Sequence, residues 1–144
     1  MIKNERQYRI TRAQAEQFER AAQAVAADTA VGSTPAALRN AELGGLRSQA
    51  QSLREELAEY DALRSGHIRA FASDTLDELP AVLIRARIAR GLTQRELAER
   101  LGLKEQQIQR YEATEYASAS LTRLRAVVEA LGLVMREEFT LAGD

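Results

Sequence analysis

The chain has 144 residues, enough for one ordinary domain or for a small domain with a substantial attachment, and its net charge is −1. With no Cys and a single His, it cannot form a disulfide framework, a thiolate nucleophile, or a thiolate or histidine-based metal site. Its apolar residues are mainly Ala, Leu, Ile and Val, with few aromatic residues and two Pro, which favours a mainly α-helical fold.

Neither a membrane segment nor a reactive site is indicated. The N-terminal stretch "MIKNERQYRITRAQ" is charged without an apolar segment behind it, and no run approaches the roughly 20 apolar residues that span a bilayer. We therefore expect a cytoplasmic protein with no membrane partner. Neighbouring carboxylates such as Glu55-Glu56 and Glu137-Glu138 diverge on a helix or strand, and no glycine loop that could cradle a phosphate is present. We expect no catalytic site, no cofactor and no metal.

A first helix is predicted from Thr11 to about Ala27. Thr11 and Gln14 resemble a capping box, in which two side chains satisfy backbone N–H groups at a helix start. The apolar residues recur at spacings of three and four, as they do on one face of a helix, at Ala15, Phe18, Ala22 and Val25.

A second helix is predicted from Pro35 to about Ser65, after the break "DTAVGSTP". Thr34 is placed to cap it, and Pro35 at the first helical position loses no hydrogen bond, because that N–H has no partner inside a helix. Its apolar residues form a stripe of close to three heptads, the partner seam: Leu43, Leu46, Ala50, Leu53, Leu57 and Tyr60.

The partner seam needs an apolar surface to cover it. The first helix, folded back in an antiparallel arrangement, would supply one and make residues 1–66 an N-terminal helical hairpin. Because the first helix is only about half as long, part of the seam is left for a second chain or another protein. Burial within the chain, dimerisation and partner binding all agree with this pattern.

Two strand-like segments, residues 67–72 and 133–141, flank the rest of the chain. Ile68 and Phe71 lie in the first segment. The second places most of its large apolar residues at alternate positions, interrupted by Glu137, at Leu133, Met135, Phe139 and Leu141. A short two-stranded β pairing of these segments, within or between chains, is predicted.

Four short helices are predicted between the flanks, in a C-terminal domain of residues 67–144 whose core spans 79–132. They run from about Leu76 to Arg90, from Gln94 to Leu101, from Glu105 to Glu112 and from about Leu121 to Leu131. Helices this short are not stable alone in water, so they must share one core. Its predicted members are Leu83, Ile84, Ile88, Leu92, Leu97, Ala98, Leu101, Leu103, Ile108, Leu124, Val127, Val128 and Leu131.

The second and third of these helices have the spacing of a helix-turn-helix. Thr93 can cap the first of the two, and Gly102 supplies the left-handed residue that ends it. The small side chain of Ala98 lets the next helix cross closely, and Ile108 anchors that helix in the core. Two helices joined by a turn of three to four residues can carry the second helix into a DNA major groove.

With Ile108 turned inward, the outward side chains have the chemistry of base reading. Gln pairs with adenine and Arg with guanine through two hydrogen bonds, and Glu can accept from cytosine, so Glu105, Gln106 and Arg110 are the candidate base-reading residues. Residues 79–132 hold nine Arg and Lys against six Asp and Glu, which suits a polyanion. The candidates for the DNA backbone or groove edge are Gln94, Arg95, Lys104, Gln107 and Gln109.

The stretch "LIRARIARGLTQRELAERLGLKEQQIQRYE", continued by "SLTRLRAVVEALGL", resembles the helix-turn-helix of the lambda-repressor and Cro-like (XRE) family over about 55 residues. This resemblance implies a phosphate contact at Gln94 and base contacts from Glu105, Gln106 and Arg110. After Glu112 the family often has a glycine-containing turn, whereas this chain has "ATEYASAS". A backbone contact from Tyr116 depends on the course of that loop.

The overall layout also resembles HigA-type antitoxins, which have helices ahead of the motif and a strand-like tail. We predict a sequence-specific DNA-binding regulator that represses transcription as a homodimer. It would bind a palindromic site in double-stranded DNA whose half-sites lie about one helical turn apart. The alternative is the antitoxin of a toxin-antitoxin module. Its N-terminal helices would bind a toxin protein, and its helix-turn-helix would regulate its own operon.

Overall fold

The computed structural model describes residues 1–28 and 34–143 of the chain. The described residues form two compact units, one over Met1–Ile68 and one from Arg69 onward. The fold is mainly α, as predicted. The helices are α1 (Glu5–Ala27), α2 (Ala36–Arg64), a 3₁₀ turn (Leu76–Glu78), α3 (Leu79–Ala89), α4 (Gln94–Leu101), α5 (Glu105–Ala113) and α6 (Leu121–Ala130).

Helix α1 begins six residues before the predicted start at Thr11. The side chain of Asn4 accepts a hydrogen bond from the Gln7 N–H at 2.9 Å, and Gln7 Oε1 accepts one from the Lys3 N–H at 2.8 Å. This reciprocal cap satisfies the backbone N–H groups of Lys3 and Gln7 and starts the helix at Glu5, so Thr11 lies inside the helix. The prediction placed the cap at Thr11 rather than Asn4, about two helical turns too late.

The first unit is an antiparallel pair of helices, α1 on α2. The start of α1 meets the end of α2, where Tyr8 donates to Asp61 at 3.0 Å and the Tyr8 and Tyr60 rings lie 5.3 Å apart. Farther along, Arg54 of α2 donates two hydrogen bonds to Glu19 of α1. Because α1 has 23 residues against 29 in α2, it covers more of the partner seam than the predicted half.

Along the partner seam, burial increases toward the C-terminal end of α2. Ala50, Leu57 and Tyr60 are buried, whereas Leu43, Leu46 and Leu53 are half-buried. Helix α2 begins at Ala36 with Pro35 as the residue before it, and it has no side-chain cap. The predicted cap at Thr34 is therefore wrong by one position.

Residues 67–72 and 133–141 form no strand, and no strand occurs elsewhere in the described residues. In the second segment, the side chains of Val134 and Phe139 are more than three-quarters exposed. The prediction of a pairing between these segments within the chain is wrong. Two isolated strands are only marginally stable in water unless they also cover an apolar surface, and these two segments do not share one.

The second unit packs α3 to α6 around one apolar core. Its fully buried large side chains are Leu83, Ile84, Leu97, Ile108, Val127 and Leu131. The other predicted core residues are buried or half-buried. Arg90 at the end of α3 donates to the carbonyls of Leu131 and Gly132 at 2.8 and 2.9 Å, and so holds the C-terminus of α6. Within the described residues, no helix has both the length and the apolar character needed to cross a membrane.

Candidate nucleic-acid interface

Helix α4 begins with a reciprocal cap at Thr93. Thr93 Oγ1 accepts from the Glu96 N–H at 3.1 Å, and Glu96 Oε2 accepts from the Thr93 N–H at 2.8 Å. The Thr93 N–H, and then its hydroxyl, hold the pKa of the Glu96 carboxyl below its ordinary value. The predicted cap at Thr93 is confirmed, and it fixes where the first helix of the motif starts.

The turn between α4 and α5 has three residues, Gly102 to Lys104. Gly102 has a φ of +65°, and the Leu103 N–H donates to the Ala98 carbonyl at 2.8 Å. This bond closes the end of α4 and turns the half-buried Leu103 side chain inward. At the start of α5, Gln107 Oε1 accepts from the Lys104 N–H at 3.0 Å. The side chain of Gln107 is therefore engaged in capping its own helix.

A buried carboxylate fixes α5 against the rest of the unit. Glu112 of α5 is fully buried, and Arg87 of α3 donates to its two oxygens at 2.5 and 2.9 Å. Arg87 also donates to the Leu92 carbonyl in the turn before α4, at 2.8 Å. Gln94 Nε2 of α4 donates to Glu112 at 2.8 Å. One side chain thus ties α3, α4 and α5 together, and it satisfies the charge that burial would otherwise penalise.

Gln94 is a candidate whose placement differs from the sequence prediction. Its side chain is buried, and its amide donates to Glu112 inside the unit. A phosphate contact through this side chain does not fit that placement. The backbone N–H of Gln94 lies at the first turn of α4, the position at which helix N-termini attract anions.

The outward face of α5 carries Gln106 and Arg110. Both are exposed, and with 3.6 residues per turn they lie about 160° around the helix axis from the buried Ile108. Their spacing of four residues places them side by side on this face. Neither side chain has a hydrogen bond or an ion pair within the described residues. Both are therefore available to a ligand.

The remaining candidates around this face are exposed, and three of them have partners. Gln109 Nε2 donates to Glu105 Oε1 at 3.2 Å, so these two side chains hold each other along one edge of α5. Arg95 of α4 forms an ion pair with Glu99 at 3.1 Å. Lys104 stands at the N-terminus of α5. Glu105 would have to leave Gln109 before it could accept from a base.

Tyr116 is also placed differently from the prediction of a groove-edge contact. After α5, Glu115 and Tyr116 both adopt left-handed backbone angles, with φ of +51° and +55°. These angles turn the chain back, so that the Tyr116 ring is buried and stacks on Tyr111 at 5.5 Å between centroids. Its hydroxyl has no hydrogen-bond partner in the part of the chain that the structure describes. Burial, and then the charge of Glu112, raise the pKa of that hydroxyl.

Sequence reasoning missed the Arg87 to Glu112 pair, although a signal was present. Arg87 lies four residues after the core residue Leu83, and Glu112 lies four residues after Ile108. Residues four apart share a helix face, so both charges stand on faces that point into the core. Opposite charges at two core-facing positions indicate a buried pair.

No cluster of three or more His, Cys, Asp or Glu side chains that could hold a metal ion occurs in residues 1–28 and 34–143. Residues 83–137 match the helix-turn-helix family model, a segment that begins in α3 and ends beyond α6. Comparison with curated proteins and with solved structures finds no match. The match is to the helix-turn-helix family, and not to HigA-type antitoxins in particular. Residues 83–137 thus form a helix-turn-helix domain of the lambda-repressor-like (XRE) type, and this domain supports a role in DNA binding and transcription regulation.

Proposed function

We propose that the protein is a sequence-specific repressor that reads double-stranded DNA with the outward face of α5. The observation that carries this proposal is the placement of Gln106 and Arg110. They point away from Ile108, they are exposed, and they have no partner within the described residues. Gln and Arg are the residue types that pair with adenine and guanine through two hydrogen bonds in the major groove.

The buried carboxylate of Glu112 supports this proposal, because a base-reading helix must be held in a fixed orientation. Glu112 lies on the inner face of α5, in the turn that follows Gln106, and it is bonded to α3 and α4. Contacts among three helices, rather than a flexible loop, therefore fix the position of a side chain on α5. Such support reduces the ordering cost of binding.

Contacts to the DNA backbone would come from groups beside α5. Arg95 in the first turn of α4 and Lys104 immediately before α5 are exposed cations, and the N-terminus of α4 offers backbone N–H groups. These contacts would position the unit without reading sequence. Glu105, Gln107 and Gln109 would serve at the groove edge, since their side chains already bond to one another or to the backbone of α5.

The repressor would act as a homodimer on a palindromic operator. Helix α5 has nine residues, so it spans about 13 Å and meets only a few base pairs. Two copies related by a two-fold axis would read two half-sites about 34 Å apart. Binding would exclude other proteins from the promoter. The protein would act in the cytoplasm, where the DNA is, and would catalyse no reaction.

The test uses Gln106→Ala and Arg110→Ala in the full chain, with Arg125→Ala as a control that removes an exposed cation from α6. Each α5 variant should lose about 1–3 kcal/mol of operator binding and relax specificity at one base pair. The control should leave specificity unchanged. Affinities are measured at several salt concentrations, because phosphate contacts make them fall steeply with salt. If both α5 variants bind operator and random DNA as the parent does, the assignment is wrong.

The antitoxin alternative is favoured by one observation on the first unit. DNA reading by the second unit does not require residues 1–68, yet they form a compact hairpin in which Leu43, Leu46 and Leu53 are only half-buried. This end of the partner seam would accept a toxin or a second chain. A gene for a small basic ribonuclease-like protein beside this one, and neutralisation of that protein lost in Leu43→Asp but not in Gln106→Ala, would support it. An adjacent protein that does not bind the chain would contradict it.

A further inference from the structure

Residues 133–141, the segment after α6, belong to no helix or strand and present apolar side chains to solvent. Val134, Met135, Phe139 and Leu141 are 86%, 51%, 80% and 95% exposed. Large apolar side chains exposed together in a short segment mark a surface that another chain covers. The backbone groups of this segment are also free to form a β ladder, since it belongs to no helix or strand.

The point at which this segment leaves the unit is fixed. Gly132 has a φ of +62°, and the Leu133 N–H donates to the Val128 carbonyl at 3.1 Å. Arg90 donates to the Gly132 carbonyl, and a Cβ at Gly132 would meet its guanidinium at 3.0 Å. The half-buried Leu133 therefore starts the segment with its side chain turned toward the unit.

The sequence of the segment, "LVMREEFTL", is complementary to itself when it is read in the opposite direction. If two copies run antiparallel about Glu137, Leu133 faces Leu141, Met135 faces Phe139, and Arg136 faces Glu138. The remaining facing pair joins the similarly shaped Val134 and Thr140. Each apolar residue thus meets a residue of matching shape, and each of two symmetry-related Arg residues meets a carboxylate.

Other registers lose this match. In a symmetric ladder the two-fold axis passes through one facing pair, so the nearest alternatives shift it by a whole residue. A shift toward the N-terminus places Arg136 opposite its own copy and Met135 opposite Glu137. A shift toward the C-terminus places Glu138 opposite its own copy and Glu137 opposite Phe139. Because strand register is set by which side chains face each other, only the register about Glu137 pairs both the charges and the apolar residues.

We propose that residues 133–141 of two copies of this chain pair as antiparallel β-strands, with the two-fold axis at Glu137, and that this pairing joins the dimer. The inference rests on the homodimer proposed above and assigns its surface. The partner is a second copy because the complementarity lies within a single segment and requires a two-fold axis.

The hydrogen-bond pattern of the ladder follows from Leu133. Its N–H is already bonded to Val128, so position 133 takes a non-hydrogen-bonded site, as do 135, 137, 139 and 141. The backbones of 134, 136, 138 and 140 then exchange the ladder bonds. Side chains are closest at non-hydrogen-bonded pairs, where the Cα atoms lie about 4.5 Å apart, and these are the pairs that join Leu to Leu and Met to Phe.

The same geometry places Glu137 opposite its own copy. Two like charges at a close pair oppose association. A Glu137→Gln variant should therefore dimerise more tightly than the parent. If residues 133–141 were exposed but unpaired, this substitution would not change the dimer affinity.

The first experiment is a charge exchange, with the dimer dissociation constant of the full chain measured by sedimentation. Arg136→Glu and Glu138→Arg should each weaken the dimer about tenfold or more, because each sets like charges opposite one another twice. The double variant restores both pairs and should regain the parent value. Glu129→Arg, an exposed reversal on α6, is the matched control and should have no effect. A double variant as weak as the single ones would overturn the pairing.

The second experiment uses the absence of Cys from the chain. A single Glu137→Cys substitution would meet its own copy within the Cα separation that a disulfide spans. It should form a covalent dimer under mild oxidation. Arg136→Cys and Glu138→Cys should cross-link when mixed and less when separate, because each faces the other. Equal cross-linking at all three positions would overturn the register.

The outcomes separate this inference from the proposed function. A parent chain that sediments as a monomer would overturn both the homodimer and the pairing. A dimer whose dissociation constant is unchanged in the charge-exchange variants would overturn only the pairing. Loss of operator binding by Gln106→Ala with the dimer intact would support the base-reading role whatever the dimer surface is.

Discussion

The two units of the chain use ion pairs in opposite ways. In the helical hairpin, Arg54 holds Glu19 with two hydrogen bonds of 2.7 and 2.8 Å, but both side chains are about two-fifths exposed. In the helix-turn-helix unit, Arg87 holds Glu112 with similar geometry, and their side chains are 3% and 0% exposed. An Arg–Glu ion pair is therefore exposed to solvent in the hairpin and buried in the core of the helix-turn-helix unit.

This difference sets what each pair contributes. Water and salt can replace either partner of an exposed pair, so breaking it costs little. A buried pair has given up its hydration, and removal of one partner leaves an uncompensated charge in the core. The hairpin can thus exchange its surface charges freely, whereas the orientation of α5 depends on one carboxylate.

Glu112→Gln should destabilise the second unit by about 3–5 kcal/mol, because Arg87 would be left buried without a counter-charge. Hydrogen exchange of the α4 and α5 amides in the full chain reports this loss. The double variant Arg87→Met/Glu112→Met removes both charges and should be more stable than Glu112→Gln alone. Exchange in Glu112→Gln that is as slow as in the parent would contradict the buried pair.

Thr93→Ala should cost about 1 kcal/mol, because it removes the acceptor of the Glu96 N–H at the start of α4. Asn4→Ala is the matched cap in the hairpin. Since α4 has eight residues and α1 has 23, the loss at Thr93 should speed exchange across all of α4, whereas the loss at Asn4 should fray only the first turn of α1. If exchange became faster only in the first turn of the helix in both variants, the expected difference between α4 and α1 would be contradicted.

Tyr116→Phe should stabilise the second unit by about 1 kcal/mol, because it removes a buried hydroxyl that has no partner. Operator binding should not change, since the ring is not at the surface. Thermal unfolding and an operator titration measure the two effects. A loss of operator affinity with no gain in stability would instead support the groove-edge contact of Tyr116 that was predicted from the sequence.

Glu19→Gln should have the smallest effect, and the effect should vanish in high salt. The hydrogen bonds from Arg54 hold the pKa of the Glu19 carboxyl below its ordinary value of 4.5. The pair therefore contributes stability above that value, and the contribution is lost as the pH falls through the lowered pKa. Urea unfolding of parent and variant, at neutral and acid pH and at two salt concentrations, should show the difference only at neutral pH and low salt.

The helix-turn-helix motif could be predicted from the sequence because its determinants are local. The cap at Thr93, the left-handed Gly102 and the inward Ile108 act within one or two turns of the chain. The predicted bounds of α4 agree with the structure, and α5 ends one residue later than predicted. Local rules were less reliable where two caps compete, since Asn4 and Gln7 start α1 well before Thr11.

Which polar residues meet in the interior depends on the tertiary structure. Gln94 and Glu112 are 18 residues apart, and Arg87 and Glu112 are 25 apart, so no local pattern brings them together. Tyr116 moved from the predicted groove edge to the interior because two left-handed residues reverse the chain after α5. The predicted pairing within the chain of residues 67–72 and 133–141 is wrong because two isolated strands are only marginally stable in water. The residue type determines which hydrogen bonds and ion pairs a side chain can form. The fold determines which partner groups lie close enough to form them.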